Sequence, residues 1–124
     1  MPKQFSNRIF LCPVDQLPDT VQAPYDEFDQ LHSDIDIDPV VSAKESSGNS
    51  YNEFSLRVAF SEDDLELSKK YINNRPFVAI LFDTDGTAFQ VGDAAYKLRA
   101  RITSRNFVHD WQITADLLAD PFTE

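Results

Sequence analysis

The sequence predicts an α+β domain that is mostly antiparallel β, sandwich or barrel-like, with one inserted helix packed on the sheet. Three observations lead there. Several segments alternate apolar and polar residues with period two, as half-buried strands do, and 51–60 is the clearest of them. Only 61–74 carries both a helical apolar stripe and capping residues. The strand-like segments follow one another through short turns instead of alternating with helices, which excludes a parallel α/β sheet. At 124 residues the chain suits one domain, 1–124, with a real core.

Taken in order, 8–14 reads as a strand on the compact apolar run of Ile9, Phe10, Leu11 and Val14. The stretch 15–38 holds eight acids and neither lysine nor arginine, so 15–33 is expected to be a solvated acidic loop. One reading puts a short helix inside it, starting at Pro24, because Tyr25, Phe28 and Leu31 recur at i+3. Next, 34–44 reads as a strand interrupted at Pro39, with Ile35 and Ile37 on one face and Asp34, Asp36 and Asp38 on the other. Proline cannot donate to a ladder, so this strand belongs at a sheet edge. Residues 46–50 are a loop by composition. In 51–60, Phe54, Leu56, Val58 and Phe60 point inward while Ser55 and Arg57 point outward.

The helix is expected over 61–74. Ser61 caps it with Asp64 three residues on, acids occupy the first turns, and Lys69 and Lys70 sit near the end, favourable to the helix dipole. Leu65, Leu67, Tyr71 and Ile72 form its stripe, and Asn73-Asn74 before Arg75-Pro76 end it. Residues 77–82 are continuously apolar and so need cover on both faces, which this helix would supply on one. Asp85-Gly86 signals a type I′ hairpin; that register pairs Thr84 with Thr87, Phe82 with Phe89 and Ile80 with Val91. After a turn at Gly92-Asp93, 96–103 and 111–117 alternate as two further strands, and 120–124 is expected to be a tail.

Composition narrows function. Hydrophobic residues are 42% of the chain and the net charge is -10, so it is globular and acidic, and nucleic acid is disfavoured as a partner. The single cysteine, Cys12, excludes an internal disulfide and a Cys-based zinc site. The apolar run before Pro13 is too short for a signal peptide, and nothing reads as a membrane span, so secretion by a signal peptide is not expected.

Two strings imitate catalytic or metal motifs. Leu81-Phe82-Asp83-Thr84-Asp85-Gly86-Thr87 resembles the first motif of haloacid dehalogenase-type phosphatases, in which Asp83 would be the nucleophile and Asp85 the general acid, both helping to hold Mg²⁺. That chemistry needs a parallel sheet and further acids from later strands, whereas the residues after Thr87 alternate like a return strand. Asp34, Asp36 and Asp38, with Val41 and Glu45, match acidic and apolar positions of an EF-hand loop, but Pro39 stands where that loop needs glycine. His32 and His109 have no sequence-local ligand partners. No catalytic residue, metal site or cofactor is expected.

One constellation survives. Lys97, Arg99, Arg101 and Arg105 share one face of a strand by period two. Such a stripe is an ordinary solvated face, a set of partners for acids in the same sheet, or a docking surface for an acidic patch on a neighbouring subunit or, less favoured, for nucleic acid.

From Tyr51 onward, the alternating strand, the capped helix, Arg75-Pro76-Phe77-Val78-Ala79-Ile80-Leu81, the Asp85-Gly86 turn and Phe89-Gln90-Val91-Gly92-Asp93 resemble small structural proteins of tailed bacteriophages and prophages, of the tail or neck type. The resemblance implies a non-enzymatic virion component, located in a virion or the bacterial cytoplasm, that forms rings or tubes with itself and with other structural proteins, and no catalytic residues. The expected contact residues are Lys97, Arg99, Arg101 and Arg105 on one side and Asp34, Asp36 and Asp38 on the other. A protein-binding module of a cellular pathway is the alternative, and a small Mg²⁺-dependent phosphatase built on Asp83 and Asp85 a third.

Overall fold

A computed structural model describes residues 4–22, 25, 28–61, 66–71, 75–105, 108–118 and 121–122. Their elements are β1 (Phe5–Pro13), β2 (Asp29–His32), β3 (Val40–Ser46), β4 (Asn49–Ser61), α1 (Glu66–Tyr71), β5 (Phe77–Asp83), β6 (Ala88–Val91), β7 (Arg99–Arg105) and β8 (Val108–Leu117). The strands make two antiparallel four-stranded sheets, one ordered β2-β1-β5-β6 (sheet A) and the other β3-β4-β8-β7 (sheet B). The fold is therefore β-rich with a single short helix among the described residues, as the periodicity predicts.

The sheets share one core. Ile9, Leu11, Leu31, Phe77, Ala79, Leu81 and Val91 of sheet A meet Phe54, Leu56, Val58, Phe60, Trp111, Ile113, Ala115 and Leu117 of sheet B, all buried. The alternation read in β4 and β8 is what lets each strand give its odd or even positions to that core and the rest to solvent.

The two halves of the chain follow the same path. Each half contributes a central strand and an edge strand to sheet A, then crosses and adds a hairpin to sheet B. Ile9 pairs with Leu31 on one side and Leu81 on the other; Ala79 correspondingly pairs with Val91 and Leu11. In sheet B, β3 and β7 are both seven residues long, and each returns through a two-residue connection, Ser46 opposite Asn49 and Arg105 opposite Val108. Ser47 and Gly48 take φ of 52° and 82°, the positive values a type I′ turn requires. This repeat is one of path, not of sequence, and rests on where the apolar positions fall.

Several expectations are corrected. The hairpin between β5 and β6 is shifted by one residue: Phe82 pairs with Ala88, Leu81 with Phe89, Ile80 with Gln90 and Ala79 with Val91. Asp83 receives a hydrogen bond at its carbonyl from the Gly86 N–H (3.0 Å), and its own N–H donates to the Thr87 carbonyl (3.0 Å). The loop is thus Thr84-Asp85-Gly86, with Gly86 in the left-handed region at φ 90°, the three-residue hairpin rather than the two-residue one. Leu81 consequently faces the core and Phe82 faces outward, half-buried.

Part of the outer face of sheet A is covered by the acidic segment, while the helix residue Tyr71 packs on Phe77 at the other face of β5. Cys12, Val78 and Ile80 are buried on the outer face, beside a ring cluster in which Tyr25 meets Phe10 (5.6 Å between centroids), Phe28 (5.7 Å) and Phe82 (6.1 Å). Arg8 lies over Phe10 and Phe82, 5.2 and 5.0 Å from their centroids. The segment 15–33 contains β2, so Leu31 is a strand residue, and Tyr25 has φ 62°, which no helix accommodates. The expected helix from Pro24 is absent among the described residues. The described part of α1, six residues, carries Tyr71 into the inter-sheet core against Phe77 (5.2 Å) and Trp111 (5.5 Å). The expected cap residue Ser61 ends β4, and the remaining expected helix ends, 62–65 and 72–74, lie outside the described residues. In the expected tail, Phe122 packs on Phe5 (5.0 Å) and Phe89 (5.6 Å).

Candidate interaction surface

The basic residues of β7 all point away from the core. Alternation along the strand sends Ala100 and Ile102 inward and leaves Arg99, Arg101 and Arg105 exposed on the outer face of sheet B, with exposed Lys97 just before it. Because β7 is the last strand in the order β3-β4-β8-β7, these bases lie along one edge.

Asp34, Asp36 and Asp38 are exposed at the opposite edge. They do not form the expected strand: 33–39 is irregular, and β3 begins only at Val40, after Pro39. The alternation nevertheless holds, since Ile37 is buried in the core and Ile35 half-buried. Ser33 fixes this corner. Its hydroxyl donates to the Ile35 carbonyl (2.8 Å) and accepts from the Ala59 N–H (3.3 Å), while its N–H donates to Asn7 (2.8 Å). The Asp34 N–H donates to the Ala59 carbonyl, and Asp34 Oδ2 accepts from the Ser61 N–H (3.1 Å). The acidic segment is therefore laid along β4 ahead of β3, whose own charged residues are Lys44 and Glu45, while the bases run along β7.

Between the edges the outer face is polar. Glu53 and Asp116 are directly opposite one another, a like-charge pairing, and they share an open concavity of about 530 Å³ with Lys97 and Arg99, whose charge offsets theirs. Arg57 forms a two-point contact with Asp110, Nε to Oδ1 at 3.1 Å and Nη2 to Oδ2 at 2.7 Å. That bond holds the Asp110 carboxyl below and the Arg57 guanidinium above their usual ranges. The pair is exposed and fixes side chains more than it stabilises the fold. Sequence reading placed Arg57 outward but missed Asp110 as its partner, because the pair needs the β4–β8 register. Between described residues the ion pairs are Arg57–Asp110, Lys70–Asp29 and Arg75–Asp15, and none engages Arg101 or Arg105.

Asp83 takes part in the turn that follows it. Asp83 Oδ1 accepts hydrogen bonds from the Asp85 N–H (3.0 Å) and the Thr87 N–H (2.8 Å), so this carboxylate closes the turn before β6. Among the described residues no three His, Cys, Asp or Glu side chains converge as a metal cluster would. His32 is exposed beside Gln30, while His109 is buried in the core, with Nδ1 2.7 Å from the Ser104 hydroxyl. No helix among the described residues is long and apolar enough to cross a membrane.

A second polar cluster ties α1 to β2. The Tyr71 hydroxyl donates to Asp29 Oδ2 (2.7 Å), which also meets Lys70 Nζ (2.7 Å). Burial, then the bond to Asp29 and its negative charge, raise the Tyr71 phenol well above its ordinary 10.0. The folded state holds this proton more tightly than the unfolded one, so the contribution is intact below pH 10.0 and is lost as pH climbs beyond it. In an alkaline titration followed by phenolate absorbance, Tyr71 is expected to ionise only as the protein unfolds. A Tyr71→Phe variant that kept the same late step would contradict this assignment.

No protein-family model, curated protein or solved structure matches this chain.

Proposed function

We propose that this chain is a structural assembly protein that works through repeated contact between its own copies, as a ring or tube component of the phage tail or neck type. The observation that carries the reading is the separation of charge across sheet B, with bases along β7 and acids in 34–38 ahead of β3. A surface that is basic at one end and acidic at the other is complementary to itself in a head-to-tail sense, and such contacts close into rings or continue as filaments. In this reading Lys97, Arg99, Arg101 and Arg105 face Asp34, Asp36 and Asp38 of a neighbour, and other structural proteins extend the assembly.

The test is mass in solution by light scattering over a series of protein and salt concentrations. Mass above that of one chain is expected in low salt. It should fall as salt rises without vanishing, since screening removes only the electrostatic share. A protein that stays monomeric at high concentration in low salt would overturn the reading.

A further inference from the structure

We infer that the outer edge of β7 is a docking site for an extended acidic segment of another protein, which adds to sheet B as a further strand. The occupant is not a second copy, so the inference goes beyond the self-assembly reading and stands or falls without it.

The backbone of β7 is built to accept a strand. It is last in the order of sheet B, and among the described residues it pairs with β8 alone; the bridge to Phe77 ends at Leu98, before the strand begins. In an antiparallel ladder every second residue then directs its N–H and C=O away from the sheet. Proline, bulges and very short strands are the usual means of blocking an edge. β7 runs seven residues without proline, glycine or a register shift, whereas the edges of sheet A, β2 and β6, are four residues each. On the core side, Ile102 is only half-buried although Trp111, its partner in β8, is fully buried. An apolar residue on an added strand would cover Ile102 and supply the apolar share that ion pairs alone do not.

Charge selects the occupant. The outward row of β7 is Arg99, Arg101, Thr103 and Arg105, with no acid in it. Such a row deters a basic edge and favours a strand whose outward residues are acids. In strand addition the main chain supplies affinity and alternate side chains supply specificity. The fitting segment therefore alternates acids, over the arginines, with apolar residues, one of them over Ile102. Two segments of this chain fail that test. The outward row of β3 is Val40, Ser42, Lys44 and Ser46, whose one charge is basic. In 34–38 acids do alternate with isoleucines, but Ile37 is buried in its own core and Asp34 is bonded to β4 through both backbone and carboxylate. That segment can offer side chains to a neighbour but not a strand. Nucleic acid has no peptide ladder to add, and a net charge of -10 repels it.

The probe is the end-capped peptide Glu-Val-Glu-Val-Glu-Val-Glu, carrying a fluorophore and titrated by anisotropy in low salt. Two controls keep its charge: one has proline for the middle valine, and one groups the glutamates ahead of the valines. The alternating peptide should bind at least about tenfold more tightly than either control. Hydrogen exchange should show new protection within 99–105 when it binds. Arg101→Glu/Arg105→Glu should weaken binding at least about tenfold, and Arg101→Gln/Arg105→Gln by less. Both arginines are exposed, so the folds should be retained, which thermal melts verify. Lys44→Glu, on the β3 edge, should leave binding unchanged. No binding, equal binding of the proline peptide, an equal loss in Lys44→Glu, or tighter binding of single-stranded DNA each overturns the inference. A chain that binds the peptide but stays monomeric by light scattering overturns self-assembly alone, and one that assembles but ignores the peptide overturns the strand site alone.

Discussion

Replacing Leu81 with alanine is expected to lower stability by about 2–5 kcal/mol, the range for a fully buried leucine, whereas Phe82→Ala should cost only about 1–2 kcal/mol in proportion to its partial burial. Leu81 is 1% exposed and lies in the shared core opposite Phe89. Phe82 sits on the other face of β5, among Phe10, Tyr25 and the Arg8 guanidinium. The comparison, made by urea denaturation of both variants, reads the hairpin register directly. The two-residue turn predicted from Asp85-Gly86 would have put Phe82 opposite Phe89, and Phe82→Ala would then be the more damaging change. That order of effects would refute the three-residue loop.

The second large effect is expected at Gly92, where the chain leaves sheet A for sheet B. Gly92 has φ 85°, and a Cβ placed there would come 2.5 Å from Leu98 Cδ1 and 2.7 Å from the Tyr96 carbonyl oxygen. Asp93 closes the turn by accepting the N–H groups of Ala95 and Tyr96, both at 2.8 Å. Leu98 then exchanges hydrogen bonds of 3.0 and 2.8 Å with Phe77 before the chain enters β7. Alanine at 92 meets both a left-handed backbone and an immovable oxygen, so a loss of about 2–5 kcal/mol is expected. Gly48 has a similar φ of 82° with nothing within 4 Å of its would-be Cβ, so Gly48→Ala should lose only about 1 kcal/mol. Equal losses at the two sites would mean that the clash at Gly92 relaxes freely.

A strand with one dry face declares itself, which is why β4 and β8 were legible from Phe54, Leu56, Val58, Trp111 and Ile113. In β5 every residue from Phe77 to Leu81 is buried. A run apolar on both faces accepts a one-residue slip, and Asp-Gly suits the longer loop as well as the shorter. In 15–33 the i+3 spacing of Tyr25, Phe28 and Leu31 reads as a helical stripe, whereas Leu31 lies in β2 and Tyr25 has φ 62°. For the surface, the bases of β7 were readable from period two alone. That the acids lie at the far edge of the same sheet depends on β4 pairing with β8 and β1 with β5, and nothing local encodes either pairing.

Those two central pairings bear on how the chain is made. Each sheet is seamed down its middle by one strand from the first half and one from the second: β1 with β5, and β4 with β8. When a ribosome has released only the N-terminal half, β1 and β4 each have one neighbour and one bare backbone edge, above an apolar face with nothing to close it. Neither half owns a core. The nascent chain must wait for β5 before the first seam can form and for β8 before the second, so synthesis and folding are separated in time, and closing such distant pairs is intrinsically slow. During that interval the unfinished seams of one nascent chain match those of another, and exchange of halves between two chains is the misassembly this path invites.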